Sequence, residues 1–231
     1  MLQLTHKFRL DLSMFNERVI LRDAMKNTIF LMVLIFGFVG TSNAEKYVEG
    51  KDYLSVSQPT RSGDKIEVLE FFWYGCPHCY HFEPHIKKWL KTKKDNIEFV
   101  KIPAVFHKSW KVHARTFYAL KEMGIEEIMS PKIFSMIHEK RKRIDTLKTI
   151  TAYLEKQKVN KEKFLEAYNS FSVETSLRKA IKRLSDYDVK GVPAVVVNGK
   201  YYLTGTISGT YEKLIETVDY LIKKEEAAMK K

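Results

Sequence analysis

Apolar positions switch between a strand-like and a helix-like period along residues 65–103. Residues 65–74 form an apolar run bounded by turn residues, which predicts a buried strand. From residue 76 to about residue 93 the period is helical, with Phe82 and Trp89 on one face. A second apolar run at residues 96–103 predicts another strand. This part of the chain therefore has the order strand, helix, strand.

The pattern is helical throughout residues 109–187. This stretch carries no good strand signal, and we predict five helices in it, at 109–123, after Ser130-Pro131, and at 146–157, 160–168 and 172–187. Asn160 is a suitable N-cap for the fourth of them, because its side chain can accept a hydrogen bond from the first turn.

Strand signals return after the helical block. Residues 193–203 hold two apolar runs on either side of Asn198-Gly199, which is the strongest short hairpin signal. Ser208 or Thr210 can cap a last amphipathic helix. A β-α-β half and a β-β-α half can share one sheet if the helical block is an insertion, so the pattern favours an α/β fold.

The two cysteines of the 231-residue chain, Cys76 and Cys79, lie at the first strand-to-helix junction. Pro77 suits the first helical turn, where its missing N–H costs no hydrogen bond. The unpaired N–H groups of that turn, the helix dipole and a protonated His78 all favour a thiolate at Cys76 and lower its pKa. Cys79 lies one turn further on and is expected to be more buried and less acidic. We predict a reversible dithiol/disulfide pair.

Three other interpretations of this pair are weaker. A structural disulfide that closes so short a loop would stabilise the fold little. Zinc needs four ligands, and His78, His81 and His85 of one helix would have to complete the site. Haem attachment needs a histidine directly after the second cysteine, where Tyr80 stands. Metal binding is the main alternative, and we expect neither a metal nor a cofactor beyond the redox-active disulfide.

The N-terminal segment has the features of a secretory signal. A short positive start at Met25 precedes an apolar run at residues 29–40, and small residues follow at Ser42 and Ala44. We expect cleavage after Ala44 and translation that begins at Met25. The apolar run is shorter than the roughly 20 residues that span a bilayer, which disfavours an uncleaved anchor. Export, here interpreted as export to a bacterial periplasm, makes disulfide exchange a suitable task for a lone CxxC pair.

The chain is basic, with 40 Lys and Arg against 28 Asp and Glu and a net charge of +12. The basic residues are interleaved with glutamate, as on solvated helix faces, and no nucleic-acid recognition motif is present. We therefore expect no nucleic-acid partner. Residues 140–143, the densest basic cluster, are interpreted as an exposed helix end. His81, His85, His107 and His113 are expected on solvated faces.

Glu70 lies inside the first apolar strand, where a carboxylate is costly unless it is paired. Lys101 in the second strand is its expected counterpart, and Glu83 lies on the helix between them. We hypothesise that Glu70 and Lys101 relay protons for Cys79. A purely structural ion pair is an equal alternative.

From about residue 47 to its C-terminus the chain resembles the DsbA family of thioredoxin-fold thiol oxidases. The resemblance is carried by Glu70-Phe71-Phe72, Cys76-Pro77-His78-Cys79-Tyr80, Phe82-Glu83, Asn169-Ser170-Phe171, Gly191-Val192-Pro193-Ala194 and Val197-Asn198-Gly199-Lys200-Tyr201. It implies an α/β protein with a thioredoxin fold and an inserted all-helical domain. Residues 1–44 would be the N-terminal extension and signal, 45–108 the first half of the thioredoxin fold, 109–187 the insertion and 188–231 the second half.

The resemblance also implies roles for individual residues. Val192-Pro193 would be a cis peptide bond that faces Cys76, and the backbone around it would hold the substrate chain extended. A proline that merely opens a strand is the alternative. Glu70, Glu83 and Lys101, which match charged positions of the family, would form a cluster beneath the cysteines.

We predict an enzyme that donates its Cys76–Cys79 disulfide to reduced, unfolded exported proteins through a mixed disulfide at Cys76. The resemblance implies re-oxidation by a quinone-linked membrane protein of the DsbB type, and we expect a monomer. A disulfide isomerase or reductase on the same fold is the nearest alternative. Known periplasmic isomerases carry an N-terminal dimerisation domain, and 31 residues between Ala44 and Cys76 are too few for one. A non-catalytic holdase or metal-binding module is the alternative from another class.

Overall fold

A five-stranded mixed sheet lies at the centre of the computed structural model, which describes residues 46–57, 59 and 63–230. Its strands are β1 (Leu54–Ser55), β2 (Ile66–Phe72), β3 (Ile97–Pro103), β4 (Ala194–Val197) and β5 (Tyr201–Thr204). They are arranged in the order β1-β5-β4-β2-β3. The β2–β3 pair is parallel and the other pairs are antiparallel. The thioredoxin-like α/β fold predicted from the resemblance is confirmed.

Helices cover both faces of this sheet. They are α1 (Pro77–Leu90), α2 (Lys108–Glu122), α3 (Glu126–His138), α4 (Leu147–Lys156), α5 (Lys161–Asn169), α6 (Phe171–Asp186), α7 (Gly205–Ser208) and α8 (Tyr211–Met229). Val68 of β2 belongs to one hydrophobic cluster with residues of α1 and α8. Leu69, its neighbour, belongs to another with residues of α6. Because successive side chains of a strand point to opposite faces, β2 is buried at every position rather than at alternate ones.

Helices α2 to α6 lie between β3 and β4 in the chain and share a third hydrophobic cluster. That cluster contains Phe117, Phe134 and Phe164, and it also contains Cys76 and Cys79. The helical region therefore packs directly against the cysteine motif, and its position affects the chemistry of the site.

Local signals placed most helix ends correctly. The Asn160 side chain accepts a hydrogen bond of 2.8 Å from the Lys163 N–H, as predicted for the N-cap of α5. Of the two candidate caps for the last helix, Thr210 is the one used, and Ser208 ends the short helix α7.

The predicted start of α3 after Ser130-Pro131 was wrong. This helix begins at Glu126, and Pro131 lies inside it. Proline removes one backbone hydrogen bond and restricts the residue before it, which is why the sequence favoured a boundary there. Burial of Met129 and Ile133 against the core stabilises the continuous helix instead.

The predicted signal segment, with its start at Met25 and its cleavage after Ala44, lies outside the described residues. Within the described part of the chain, no helix combines the length and the apolar character that a membrane span requires.

Candidate active site

Cys76 lies at the N-cap of α1, four residues beyond the end of β2. Its backbone is extended (φ −86°, ψ 118°), its N–H donates a 3.0 Å hydrogen bond to Trp73 O, and Pro77 opens the helix. The sequence predicted this junction from the apolar run and the proline. The position places a sulfur atom at the end of the helix where N–H groups are unpaired.

The pKa of Cys76 is lowered to about 6. The largest cause is the hydrogen bond from the Cys79 thiol, and the backbone N–H groups of Cys79 and His78 and the charge of His78 add to it, whereas partial burial opposes them. The predicted direction is confirmed. The contribution of the Cys79 thiol was missed, because the sequence predicts Cys79 only as the disulfide partner.

Cys79 is fully buried, and both cysteines are free thiols in this structure. Burial is the main reason that the pKa of Cys79 lies well above its usual value, and the nearby Cys76 sulfur raises it further. The expectation of a more buried, less acidic partner is confirmed. The pair thus combines one sulfur that ionises near neutral pH with one that stays protonated.

His78 is exposed at the start of α1, and Tyr211 from the first turn of α8 contacts it. The Tyr211 hydroxyl donates a 3.1 Å hydrogen bond to His78 O and lies 3.5 Å from His78 Nδ1. Nothing in the sequence connected these two residues, which are 133 positions apart.

The peptide bond between Val192 and Pro193 is cis, and it faces the cysteine motif as the resemblance implied. The Cys76 thiol donates a 3.4 Å hydrogen bond to Val192 O. A groove of about 730 Å³ runs beside this contact. Its lining includes His78, Gly191, Val192, Pro193, Thr204, Gly205, Thr210 and Tyr211. An extended chain in this groove could therefore reach the Cys76 sulfur beside the half-buried Gly191 and Val192.

Glu70, Lys101 and Glu83 meet beneath the motif, on β2, β3 and α1. The parallel register places Glu70 opposite Lys101, whose Nζ lies 3.6 Å from Glu70 Oε2 and donates a hydrogen bond to Glu83 Oε1. Glu70 is 0% exposed, and within the described residues neither of its carboxylate oxygens has a hydrogen-bond partner. The distance of 3.6 Å makes the Lys101–Glu70 contact an ion pair rather than a hydrogen bond.

This environment shifts the pKa of the Glu70 carboxyl towards neutral pH. Burial raises its pKa to about 7, although the positive charge of Lys101 acts in the opposite direction. Burial also opposes the charge of Lys101, but the two carboxylates more than offset that effect and its pKa lies above the usual value. The charge of Glu70 is among the causes that raise the pKa of Cys79. A buried carboxyl with such a pKa can take up and release a proton near pH 7.

The helical region reaches the motif through α3. The Tyr74 hydroxyl and Ser130 Oγ are 2.5 Å apart, and His138 Nε2 lies 2.8 Å from Tyr74 O. The ring of His138 also stacks on Tyr80, with the ring centroids 5.0 Å apart. These supporting residues were missed, because their sequence context resembles that of any amphipathic helix.

The expectation that His113 lies on a solvated face was wrong. Its side chain is 3% exposed, and its Nε2 lies 3.1 Å from Ile144 O. The Trp73 ring packs beside it, with the ring centroids 6.0 Å apart, because α2 lies directly against the β2–α1 junction. His81 and His107 are exposed, as expected. Among the residues that the structure describes, no group of three or more His, Cys, Asp or Glu side chains is placed to hold a metal ion.

Comparison with known families supports the same chemistry. A family model described as a DSBA-like thioredoxin domain matches residues 67–213. The thiol:disulfide interchange protein DsbA of Pseudomonas aeruginosa is 40% identical over 213 residues, which cover 91% of this chain and 100% of that relative. The protein of the same name from Burkholderia cepacia is 38% identical over 205 residues, covering 86% of this chain and 97% of the relative.

Solved structures show the same similarity in three dimensions. The crystal structure of Pseudomonas aeruginosa DsbA matches with a TM-score of 0.78 and 43% identity, over 82% of this chain and 100% of that one. The oxidoreductase NmDsbA1 of Neisseria meningitidis matches with a TM-score of 0.71 and 28% identity, over 80% of this chain and 96% of that one.

Proposed function

Because this chain belongs to the DsbA family of thiol:disulfide interchange proteins, we propose that it oxidises exported proteins by transferring the Cys76–Cys79 disulfide to them. The observation that carries the proposal is the contrast between the two sulfurs. Cys76 has a pKa of about 6 and lies next to the proline loop, whereas Cys79 is buried and has a raised pKa.

The first step is the attack of a substrate thiolate on the Cys76 sulfur of the oxidised protein. The bond between Cys76 and Cys79 breaks, a mixed disulfide forms, and Cys79 leaves with the electron pair. Since burial disfavours a Cys79 thiolate, this sulfur must gain a proton as it leaves. Cys76 is the more accessible of the two residues, with 8% exposure against 0%, which supports attack at Cys76.

In the second step another substrate thiolate attacks the substrate sulfur of the mixed disulfide. The new substrate disulfide forms, and Cys76 leaves as a thiolate. Two electrons have then passed from the substrate dithiol to the protein, which holds one thiol and one thiolate. The low pKa of Cys76 makes it a good leaving group and stabilises the reduced protein, so its disulfide is oxidising.

We assign the proton that Cys79 exchanges to the buried cluster. Glu70, with a pKa of about 7, would supply or accept it, and Lys101 and Glu83 would hold the carboxyl in place and link it to solvent. Pro77 and His78 support the thiolate from the first turn of α1. The absence of a hydrogen-bond partner for Glu70 in the described residues supports a role beyond a structural ion pair.

The substrate chain would lie in the groove beside Val192 and Pro193. The carbonyl group of Val192 is already within hydrogen-bond reach of the Cys76 thiol, so a chain bonded to that sulfur would lie beside the same backbone. Extended backbone can pair with such a segment without regard to side chains, which suits varied unfolded substrates.

The setting of the reaction is also part of the proposal. The protein would act in the periplasm after cleavage near Ala44, as a monomer, with unfolded exported thiol proteins as substrates. A quinone-linked membrane oxidase of the DsbB type would restore the disulfide. We further propose that residues 45–108 and 188–231 form the thioredoxin-fold halves and that residues 109–187 form the insertion, which is consistent with the position of α2 to α6 between β3 and β4.

The redox equilibrium against glutathione buffers, followed by thiol trapping, tests the function. We expect a couple far more oxidising than that of thioredoxin, which lies at about −270 mV, because the Cys76 thiolate stabilises the reduced form. A value near that of thioredoxin would identify a reductase instead. A protein that binds unfolded chains without any reversible redox change would be a holdase, and the proposal would be rejected.

A further inference from the structure

A short basic loop follows α3 beside the cysteine motif. This loop, residues 140–143, consists of four consecutive Lys and Arg residues, all of them exposed. The end of α3 is fixed to the motif, because His138 Nε2 lies 2.8 Å from Tyr74 O. The loop therefore starts two residues beyond a direct contact with the strand-to-helix junction.

A pocket of about 320 Å³ lies between the basic loop and the motif. Trp73 and Gly75 line it from the junction between β2 and α1, and Arg141 and Lys142 line it from the basic loop. Gly75 directly precedes Cys76, so their Cα atoms are separated by about 3.8 Å. The lining of the pocket therefore ends one residue before Cys76 in the chain.

The acidic groups closest in the chain to the basic loop already have partners. Glu139 accepts hydrogen bonds from the Tyr80 hydroxyl at 2.5 Å and from Ser135 Oγ at 2.7 Å. Asp145 forms an ion pair of 2.7 Å with Arg143. In the described part of the chain, the side chains of Arg141 and Lys142 form no ion pair. Positive charge on this rim of the pocket is therefore available to a ligand.

Arg141 has a strained backbone. Its φ is +53°, in the left-handed region that glycine adopts freely and that other residues with a Cβ atom avoid. Strained residues of this kind concentrate at functional sites, where the side chain is needed despite its conformation. Lys158, Asp188 and Asn198 share this conformation, and what distinguishes Arg141 from them is its position in the pocket lining.

The pocket wall also has unmet hydrogen-bonding capacity. Trp73 Nε1 and His113 Nδ1 are buried, and neither has a hydrogen-bond partner among the described residues. Both residues belong to the pocket lining. His113 Nε2 lies 3.1 Å from Ile144 O and so carries the ring proton, which leaves Nδ1 as an acceptor in the neutral ring.

We propose that the basic loop and its pocket bind an acidic segment of the substrate polypeptide, next to the substrate cysteine that is bonded to Cys76. This inference rests on the proposed function. A residue adjacent in the chain advances at most about 3.6 Å, so the neighbours of the bonded cysteine come within reach of Gly75 and the pocket. Carboxylates there would meet Arg141 and Lys142, and substrates with acidic residues beside a cysteine would be oxidised faster.

Three dithiol peptides that differ only in the residues flanking one cysteine test this preference. The flanking residues are Glu, Gln or Lys, and the measurement is the second-order rate constant for peptide oxidation by the oxidised protein. At low ionic strength we expect the Glu peptide to react about tenfold faster than the Lys peptide, since opposite charges steer association. In about 1 M salt, where the screening length is about 3 Å, the ratio should approach one.

A loop variant and a matched control locate the preference. The loop variant combines Lys140→Ser, Arg141→Gly and Lys142→Ser. It removes three charges and places glycine at the position with positive φ. The control variant combines Lys156→Ser, Lys158→Gly and Lys163→Ser. It removes three exposed charges elsewhere and also places glycine at a position with positive φ, that of Lys158 (φ +68°). We expect the Glu/Lys rate ratio to fall to within about twofold of one in the loop variant and to persist in the control.

The Gln peptide separates this inference from the proposed function. Rapid oxidation of the Gln peptide with equal rates for the Glu and Lys peptides would overturn the acidic-substrate inference alone. The same would follow from a ratio that the loop variant retains. A wild-type protein that oxidises none of the three peptides would overturn the proposed function and this inference with it.

Discussion

At the scale of single residues, the reactivity of the pair depends on which hydrogen bonds each sulfur has. The Cys76 sulfur is stabilised as a thiolate chiefly by the Cys79 thiol, and then by the amides of Cys79 and His78. Burial disfavours a thiolate at Cys79, and the charges of Cys76 and Glu70 disfavour it further. Two identical side chains three positions apart therefore have pKa values that differ in opposite directions from the usual one.

Replacing Cys79 tests the contribution of its thiol. In Cys79→Ala the hydrogen-bond donor is lost, whereas Cys79→Ser keeps an O–H group at the same place. We expect the pKa of Cys76 to be higher in the Ala variant than in the Ser variant, because the largest stabilising contact is absent. Thiolate absorbance near 240 nm, titrated against pH, measures both values. Equal pKa values in the two variants would contradict this account.

At the scale of secondary structure elements, the site is assembled where β2, β3 and α1 meet. The parallel register of β2 and β3 places Glu70 opposite Lys101, and α1 brings Glu83 to the same lysine. At the end of β2 the indole rings of Trp73 and Trp110 stack at 3.9 Å, which joins α2 to the junction. Each of these contacts depends on how two elements pack and not on either element alone.

The buried carboxyl of Glu70 should make stability depend on pH. Its folded pKa of about 7 lies above the usual value of 4.5, so the folded state binds a proton that the unfolded state releases. The stabilisation is complete below about pH 4.5 and is lost as the pH rises through 7. Glu70→Gln should therefore lose less stability than the wild type between pH 5 and pH 8, as measured by urea denaturation.

The exposed Glu98→Gln on β3 is the matched control for this change, and it should follow the wild-type dependence. The same Glu70→Gln variant tests the proton relay. The relay requires the pH profile of substrate oxidation to change, and an unaltered profile would leave Glu70 with a structural role only.

A substitution at Gly75 tests the packing between β2, α1 and α2. A Cβ atom at this position would come within 2.3 Å of the Trp73 ring, which is held by its stack on Trp110. Gly75→Ala should therefore lower the free energy of unfolding by about 1–3 kcal/mol, as overpacking does elsewhere. A Cβ atom at Gly191 would meet nothing within 4 Å, so Gly191→Ala should change stability by no more than about 0.5 kcal/mol. Equal effects in denaturant titrations would refute the steric argument.

At the scale of the whole molecule, the helical region and the sheet share the cysteine motif. The described residues from Tyr47 onward form one compact unit. The hydrophobic cluster of the helices contains Phe72 of β2 together with Cys76 and Cys79, so the site is part of the core of the helical region. Loss of packing deep in that region should therefore weaken the whole unit and not one part of it.

A pair of phenylalanines tests this cooperativity. Phe164 in α5 is 0% exposed, whereas Phe171 at the start of α6 is 80% exposed. Phe164→Ala should cost about 3–5 kcal/mol of unfolding free energy, and Phe171→Ala about 0.5 kcal/mol or less. Unfolding of the Phe164→Ala variant should give one transition, at the same urea concentration by tryptophan fluorescence and by far-ultraviolet circular dichroism. Separate transitions would show that the helices unfold on their own.

Features that depend on a few neighbouring residues could be predicted from the sequence. The Asn198-Gly199 hairpin forms with positive φ at both residues, and the strand-to-helix junction at Cys76 has Pro77 in its first turn. The lowered pKa of Cys76 was predicted in direction, because unpaired amides at a helix start follow from local geometry. The cis bond at Val192-Pro193 was implied by the family resemblance and not by any local pattern.

The sequence by itself therefore determined the order of strands and helices, the position of the cysteine pair at a helix start and the family. Only the tertiary structure decided which distant groups meet there. It brought Val192 O to Cys76, Tyr211 to His78 and the basic loop to Gly75, and it buried His113. The period of apolar residues and the capping residues in a sequence reflect interactions within about one helical turn or one strand pair. Contacts between residues more than 30 positions apart depend instead on how whole elements pack, and this sequence carries no local signal of that packing.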